Sequence, residues 1–388
     1  MNVVHKIYNL LRRLEIALLP NYIRKENGEK WIFVSYLTDP FKKKNDPDFF
    51  KGHQNQQETL ILDEILHELD LSYFFHHYAR PLNFVNQEFD VVFGLEPNFG
   101  YLCNNNPKAL KIYYATGAYY QHQNSMIRQR TDDFNKKYGV AYPYERLVPD
   151  HDSCEIADAI VQIGSAHTIS TYPEALRKKI TLLDQTCHEF DAVDLEKKIA
   201  GNSKRDFIWF GSRGSILKGL DLVLEYFLIH PDLNLHVVGP VEQSFVDIFG
   251  DKISECKNIT FYGYLSVDSQ TFRDLADRCA FLIYPSASEG GCPGSVLNLR
   301  RLGVIPILSL WASGEDISTH GYLLEDLSLD SIERAVTWGT QLSEEKLAEL
   351  VHKNHQYVNE HHNKKRFKKQ LESTLRSLLE KREQVSHE

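Results

Sequence analysis

The feature that most constrains the fold of this chain is an alternation of short apolar runs with amphipathic helical segments. In the first half, the runs predicted as strands cover residues 31–37, 71–75, 90–94, 110–115 and 159–163. Between the first two, residues 56–69 place Ile61, Leu62 and Leu66 at helical spacing on one face. Strands that alternate with helices favour a parallel sheet covered by helices on both faces.

The same alternation returns after a polar stretch from residue 184 to 205. Predicted strands cover residues 207–210, 233–238, 259–262, 281–284 and 305–308, a predicted helix covers 216–230, and the chain is helical from 329. We therefore predict an α/β fold class with two Rossmann-like domains facing a central cleft. The predicted limits are an amphipathic helix at 1–25, domains at 26–190 and 200–360, and a helical tail at 361–388.

Composition excludes several other classes of protein. The 388 residues are 42% apolar and 25% charged, as in globular proteins, and the formal net charge of −9 argues against nucleic-acid binding. Six cysteines without a CxxC pair favour a reducing cytoplasm over a zinc site or disulfides. No stretch approaches the ~20 apolar residues of a membrane span, so we expect a cytoplasmic protein.

The first 25 residues form a basic amphipathic pattern. Apolar residues recur at helical spacing from Val3 to Leu18, while Lys6, Arg12 and Arg13 lie off that stripe. Such a helix fits a peripheral position on the anionic inner face of a membrane. Packing of the helix on its own domain fits the pattern equally well, and both interpretations stay open.

Two glycine-containing turns of the second half carry the functional signal. Gly211 and Arg213 follow a predicted strand, with Lys218 at the next helix, and Glu289 lies in a second such turn. Glycines let a ligand approach the backbone, cations neutralise a diphosphate, and a helix N-terminus receives an anion. A carboxylate can grip sugar hydroxyls as charge develops at the anomeric carbon. Each turn alone also fits solvated cations or a helix-capping carboxylate, but together they favour a sugar-diphosphate site.

These residues resemble the GT-B-fold retaining glycosyltransferases of the glycosyltransferase family 4 type. The resemblance rests on residues 210–213 with Lys218 and Gly219, on residues 236–240, and on residues 284–286 leading to Glu289 and Gly290. It implies a nucleotide-sugar donor as substrate, held by the second domain, an acceptor held largely by the first, and retention of configuration. We expect no cofactor and no metal, because Arg213, Lys218 and the helix N-terminus near Gly294 already supply positive charge. The basic amphipathic N-terminus fits a glycan or lipid-linked acceptor, as in surface-polysaccharide synthesis.

The candidate site residues divide into four groups. Glu289 and the loop residue His53 are the catalytic candidates, since an imidazole can stabilise or shuttle charge near neutral pH. The donor diphosphate is assigned to Gly211, Arg213, Lys218, Gly294 and Ser295, and the donor sugar or nucleotide to Gly290, Gly291 and Asn298. The acceptor side is assigned to Asn55, Thr116, Gly117, Tyr119 and His122, where aromatic rings and hydroxyls suit a sugar.

The chain departs from the family pattern at one position. The family's second glutamate, which binds the nucleotide ribose, falls on Leu297 when counted from Glu289 and on Asn298 when counted back from Gly303. Asn298 can hydrogen-bond a hydroxyl but brings no charge. This departure keeps two alternatives open: a non-catalytic sugar- or nucleotide-binding protein, and a sugar-nucleotide epimerase of the same fold.

The triplet Asp150–His151–Asp152 has the spacing of a metal-binding carboxylate pair. It precedes Ser153 and a predicted helix, so we expect the aspartates to cap that helix instead.

Overall fold

The computed structural model describes residues 14–82 and 87–386, which form a largely parallel sheet of seven strands and a parallel sheet of six. The first sheet contains β1 (Tyr22–Arg24), β2 (Trp31–Tyr36), β3 (Ser72–His77), β4 (Val91–Gly94), β5 (Leu110–Ala115), β6 (Ala159–Ile163) and β7 (Ile180–Leu183). The second contains β8 (Ser203–Phe210), β9 (Asn234–Val238), β10 (Ile259–Gly263), β11 (Cys279–Tyr284), β12 (Ile305–Leu308) and β13 (Tyr322–Leu323). We call the elements around each sheet the first and the second domain.

The first sheet has the order β1-β3-β2-β4-β5-β6-β7. Its central strands are apolar and buried on both faces; Phe33 of β2 is fully buried and pairs with Phe74 of β3 and Val92 of β4. β1 is the one antiparallel strand among those described, and it pairs with β3 at the edge.

The second sheet has the order β10-β9-β8-β11-β12-β13, and all of its described pairs are parallel. Phe281 of β11 pairs with Phe207 of β8 and Ile305 of β12, and all three side chains are fully buried. The predicted alternation of strands and helices therefore produces the predicted fold class, two Rossmann-like α/β domains.

Helices cover both sheets. Those of the first half are α1 (residues 14–17), α2 (Asp39–Lys43), α3 (Gln54–Glu68), α4 (Asn98–Asn105), α5 (Tyr120–Tyr138), α6 (Ser153–Ile156), α7 (Ala166–Ser170) and α8 (Glu174–Arg177). Those of the second half are α9 (Leu195–Gly201), α10 (Leu220–Leu228), α11 (Gln243–Phe249), α12 (Asp251–Glu255), α13 (Gln270–Arg278), α14 (Gly294–Arg301), α15 (Ile317–His320), α16 (Leu329–Thr340), α17 (Glu344–His361) and α18 (Lys364–Ser386). Short 3-10 helices cover Phe49–Lys51 and Leu310–Ala312.

Two predicted helices have different limits in the structure. The predicted helix 216–230 begins only at Leu220, because Gly219 has a φ of 71°, which a right-handed helix does not accept. The prediction of a helix over residues 1–25 is wrong at its end, where residues 22–24 form β1 because they complete the sheet edge beside β3. Residues 1–13 of that predicted helix lie outside the described residues.

The C-terminal helix α18 returns to the first domain. Phe367, Leu371 and Leu375 are at most 2% exposed and belong to the core built around β2, β3 and α3. The predicted helical tail is therefore packed against the first sheet. Within residues 14–82 and 87–386, no helix is both long and apolar enough to span a lipid bilayer.

Candidate active site

A cavity of about 600 Å³ lies between the carboxyl ends of the two sheets. The first domain contributes Leu37 after β2, Leu95 after β4 and Thr116 after β5, while the second contributes Gly211 after β8 and Gly239 after β9. Loops that follow parallel strands converge at the same sheet edge, which is where open α/β sheets bind ligands. The size of the cavity suits a small-molecule ligand.

Lys218 and Glu289 form a polar pair in the wall of this cavity. Lys218 Nζ lies 3.6 Å from Glu289 Oε1, and the Tyr284 hydroxyl donates to the same carboxylate oxygen at 3.0 Å. Only 8% of the Lys218 side chain is exposed, and this burial lowers the pKa of Lys218 while Glu289 opposes the shift. A poorly solvated ammonium with a single carboxylate beside it favours an additional anion in the cavity.

A backbone hydrogen bond joins the two glycine turns and holds the backbone at Lys218 beside the backbone that leads to Glu289. The Ala287 N–H donates to the Leu217 carbonyl at 2.8 Å. A Cβ on Gly219 would lie 2.3 Å from the Pro285 carbonyl oxygen. The turn therefore needs glycine at 219 both for its positive φ and for this close approach.

The N-terminus of α14 faces the cavity. Gly294 and Ser295 line the cavity together with Gly211, and the preceding Pro293 makes no side-chain hydrogen bond to the helix. The first N–H groups of a helix have no partner inside the helix and carry a partial positive charge. This end of α14 can therefore receive phosphate oxygens next to Lys218.

Arg213 lies away from the lining of the cavity. Its side chain is 53% exposed and points to an acidic pair, with Glu145 at 3.8 Å and Glu242 at 3.9 Å. Burial and the neighbouring Glu242 raise the pKa of Glu145 to about 7, whereas hydrogen bonds outweigh burial and lower the pKa of Glu242. The structure thus directs the Arg213 guanidinium toward carboxylates and not toward Lys218.

A different arginine, Arg146 of the first domain, lines the cavity. Its Nη1 donates to the Arg213 carbonyl at 3.0 Å, so the side chain lies over the turn that Arg213 begins. The sequence carries no local signal for this residue, because Arg146 lies in a polar segment without a glycine turn and far from Lys218 along the chain.

His53 lies on the opposite wall of the cavity, at the N-cap of α3. Its Nδ1 accepts the Asn55 N–H at 3.3 Å, and the Gln56 side chain accepts the His53 N–H at 3.2 Å. The surrounding protein and the Lys218 charge lower the pKa of His53, while the bond from Asn55 opposes the shift. The neutral imidazole is therefore the form favoured at pH 7.

Asn298, not Leu297, lines the cavity. Leu297 is fully buried in the core of the second domain, while Asn298 Oδ1 accepts the backbone N–H of His188 at 2.8 Å. His188 also lines the cavity, and its Nε2 lies 2.7 Å from Asp268 Oδ1. The sequence did not indicate His188, because it lies in the polar stretch between the domains.

Gly290 and Gly291 lie where the domains meet. A Cβ on Gly290 would lie 2.9 Å from both the Gly117 Cα and the Thr116 carbonyl oxygen of the first domain. Gly291 has a φ of 77°, and a Cβ there would lie 2.8 Å from the Gly164 Cα. Only glycine allows the two backbones to approach this closely.

The acceptor-side residues do not form one group. Asn55 and Thr116 line the cavity, whereas Gly117 lies behind Gly290. Tyr119 and His122 lie outside the lining of the cavity: the Tyr119 hydroxyl donates to Glu155 at 2.9 Å, and the His122 ring centre is 4.6 Å from that of Trp311. The aromatic cluster predicted for an acceptor is thus divided between the cavity and other contacts.

The triplet Asp150–His151–Asp152 precedes α6 but does not cap it through a side-chain hydrogen bond. Asp152 occupies the N-cap position but makes no capping hydrogen bond, and the Ser153 N–H instead donates to His151 Nδ1 at 3.3 Å. The expectation that the aspartates cap this helix is therefore wrong, because the Asp152 side chain accepts no N–H of the first helical turn. In the described parts of the chain, no three His, Cys, Asp or Glu side chains are grouped so that they could hold a metal ion.

Comparisons with protein families and with curated proteins find no match for this chain. Solved structures do match. Anabaena HepE in complex with UDP-glucose shares 10% identity over 90% of this chain and 99% of its own, with a TM-score of 0.52. The N-terminal domain of Candida albicans trehalose-6-phosphate phosphatase shares 12% identity over 92% and 98%, with a TM-score of 0.54.

S. aureus TarM, solved in complex with UDP, shares 14% identity over 74% of this chain, with a TM-score of 0.51. The chain spans 55% of the length of TarM. Likeness at these identities establishes the fold. The chain has the GT-B architecture of two facing Rossmann-like domains.

Proposed function

We propose that this protein is a glycosyltransferase that moves a sugar from a nucleotide-sugar donor to a glycan or lipid-linked acceptor. The observation that carries the proposal is the grouping of Lys218, Glu289 and the N-terminus of α14 in one cavity between the domains. A buried cation and open helix N–H groups suit a diphosphate, while the adjacent carboxylate suits sugar hydroxyls. The UDP-glucose bound to HepE and the UDP bound to TarM support a donor of this class.

In this proposal the second domain holds the donor. Lys218 and the N–H groups at Gly294 and Ser295 stabilise the diphosphate as it departs, because they are preorganised where negative charge develops. Glu289 is already oriented by the Tyr284 hydroxyl and contacts the transferred sugar. These groups supply the positive charge that the leaving group needs, so we propose transfer without a metal ion. We also propose retention of configuration, which the sequence resemblance to family 4 glycosyltransferases implies.

The acceptor approaches from the first domain. His53, Asn55 and Thr116 line the cavity on that side. Since Nδ1 of His53 accepts the Asn55 N–H, the neutral imidazole carries its proton on Nε2 and can donate a hydrogen bond to a ligand oxygen. We propose a cell-surface polysaccharide or its lipid-linked precursor as the product, in keeping with the lipid-associated acceptor that the N-terminal pattern favours.

The test is donor turnover. The purified protein is incubated with UDP-, GDP- and ADP-sugars, with and without EDTA, and release of the nucleoside diphosphate is measured. Lys218→Ala and Glu289→Gln should each lower the rate by roughly 100-fold, since each removes a group that acts on developing charge. Lys197→Ala is the matched control, because Lys197 forms an exposed ion pair with Asp277 on the second domain.

Two results would contradict this function. Absence of turnover with every sugar nucleotide, alongside tight binding, would favour a sugar-binding module. Isomerised sugar nucleotide formed without an acceptor would favour an epimerase.

Loss of activity in EDTA, restored by a divalent ion, would refute metal-independent transfer but leave the reaction class intact. Nuclear magnetic resonance of the first-formed product tests retention, since an inverted anomeric centre would refute it.

We also propose that the N-terminal segment brings the enzyme to a membrane surface. Leu18 is 82% exposed and Leu14 is 52% exposed, while Leu19 is buried against the first domain. Exposed leucines next to basic residues favour the interface of an anionic bilayer.

Vesicles of phosphatidylcholine, with and without phosphatidylglycerol, test this position by co-sedimentation. Leu18→Asp should reduce binding to the anionic vesicles, whereas Ile229→Asp, which changes an equally apolar and 70% exposed residue of the second domain, should not. Equal binding by the two variants would refute the proposed membrane contact.

A further inference from the structure

A segment of the first domain packs on the second. We call residues 120–148 the strap; it contains α5 and the loop that follows. Phe134 and Tyr142 belong to the core of the second domain, and the Phe134 ring stacks at 5.8 Å on Phe245 of α11. Arg130 Nη2 donates to both carboxylate oxygens of Asp221 in α10, at 2.9 and 2.7 Å. The strap therefore connects the first domain to the second through both apolar and ionic contacts.

The end of the strap is held in a defined conformation. Asn124 is buried and exchanges two hydrogen bonds with the backbone of Val148, one at 2.8 Å and one at 2.9 Å. The Gln123 side chain donates to the Arg146 carbonyl at 3.3 Å. Arg146 itself has a φ of 65°, a conformation that costs energy in any residue other than glycine and that these bonds maintain.

This conformation places the Arg146 side chain in the cavity. Its Nη1 donates to the Arg213 carbonyl, and its Cδ lies 2.6 Å from where a Cβ on Gly214 would be. Gly214 thus leaves the space that Arg146 occupies, with a φ of 96°. Arg146 and Lys218 both line the cavity, and the charge of Arg146 contributes to the lowered pKa of Lys218.

We propose that Arg146, carried by the strap, is the second cation for the diphosphate of the donor and acts together with Lys218. Its planar guanidinium can bind two phosphate oxygens in a fixed bidentate geometry, whereas the ammonium of Lys218 has no such fixed geometry. The donor site is then complete only when the strap of the first domain is packed on the second. This inference rests on the proposed function.

Calorimetric titration of UDP, GDP and ADP, each compared with its monophosphate, tests the role of Arg146. Wild-type protein should bind one diphosphate more tightly than the corresponding monophosphate. Arg146→Ala should weaken diphosphate binding by roughly 10- to 100-fold, the equivalent of lost charge-assisted hydrogen bonds, and leave monophosphate binding within about threefold. Arg128→Ala, which changes an exposed arginine of α5 in the same strap, should leave both unchanged.

Arg146→Lys separates a contact with phosphate from a structural role. It keeps the charge and should recover part of the affinity for the diphosphate, whereas a purely structural arginine would show no selective recovery. A matching loss of monophosphate affinity in Arg146→Ala would also refute the phosphate contact.

The outcomes distinguish this inference from the function on which it rests. If Lys218→Ala weakens diphosphate binding and Arg146→Ala does not, the role of Arg146 is refuted and the donor site stands. If Arg213→Ala, and not Arg146→Ala, removes the preference for the diphosphate, then Arg213 is the second cation. If no nucleotide binds, or Lys218→Ala has no effect, the proposed function and the role of Arg146 both fail.

Discussion

The buried ion pair between Arg130 and Asp221 gives the sharpest test of how the domains are joined. The side chains are 11% and 4% exposed, and two hydrogen bonds connect them. Arg130→Met keeps much of the side-chain volume but leaves the Asp221 carboxylate without its partner. Removing one member of such a pair typically costs about 3–5 kcal/mol, because the remaining charge is buried and uncompensated.

The double variant Arg130→Met/Asp221→Asn isolates this effect. It removes the uncompensated charge, so we expect it to recover about 2 kcal/mol of the lost free energy of unfolding. This value lies within the range of interaction free energies between residues in contact. Arg128→Met is the matched control on the same helix. Arg128 is exposed, and substitutions at exposed positions usually change stability by no more than about 0.5 kcal/mol.

The pH dependence of the single variant has a definite sign. Burial raises the pKa of Asp221 and Arg130 opposes the shift, so loss of Arg130 raises the pKa of Asp221 further. A carboxyl group with a raised folded-state pKa binds its proton more tightly when folded, and stability then falls as pH rises from the unfolded value to the folded value. The decrease in the free energy of unfolding caused by Arg130→Met should therefore be smaller near about pH 5 than near about pH 7.5.

Guanidinium chloride unfolding, followed by circular dichroism and tryptophan fluorescence at both pH values, provides the measurement. A deficit below about 1 kcal/mol, as expected for an exposed pair, would refute the inference that this pair joins the domains through a buried contact. A deficit that grows as the pH falls would refute the assignment of the cost to the Asp221 charge.

Three further predictions concern other parts of the molecule. Burial and a neighbouring lysine lower the pKa of His53, and protonation of its Nδ1 would break the bond from the Asn55 N–H. The value of kcat/KM should therefore be flat from about pH 7 to 8 and fall only below about 6.5, and His53→Gln should abolish that fall. Gly290→Ala inserts a Cβ against the first-domain backbone and should lower sugar transfer roughly 100-fold, whereas Gly201→Ala, with nothing within 4 Å, should not. Phe367→Ala should cost about 3–5 kcal/mol in chemical unfolding and the exposed Lys381→Ala almost nothing, since Phe367 is buried in the first core.

Much of the fold follows from local patterns. The limits of β5, β6 and β12 are those that the apolar runs indicated, because buried parallel strands read as continuous apolar segments. The edge strands β1 and β13, of three and two residues, carry too few residues to show a pattern. Their strand conformation depends on pairing with a neighbour that is distant in sequence.

The candidate site, too, could be predicted only in part from the sequence. Lys218 and Glu289 could be recognised because each lies in a glycine turn of its own. The orientation of Arg213 could not, because the acidic pair that attracts it comes from two other segments of the chain. Arg146 could not be recognised either, since its place in the cavity depends on how the strap packs against the second domain.

The most direct test is a crystal structure of the protein with a bound nucleoside diphosphate, with UDP as the first probe. Phosphate oxygens should lie within about 3.2 Å of Lys218 Nζ, of the Arg146 guanidinium and of the N–H groups at the start of α14. The nucleotide should then lie in the cavity between the two sheets. A nucleotide bound elsewhere, or one whose diphosphate contacts none of these groups, would contradict the account.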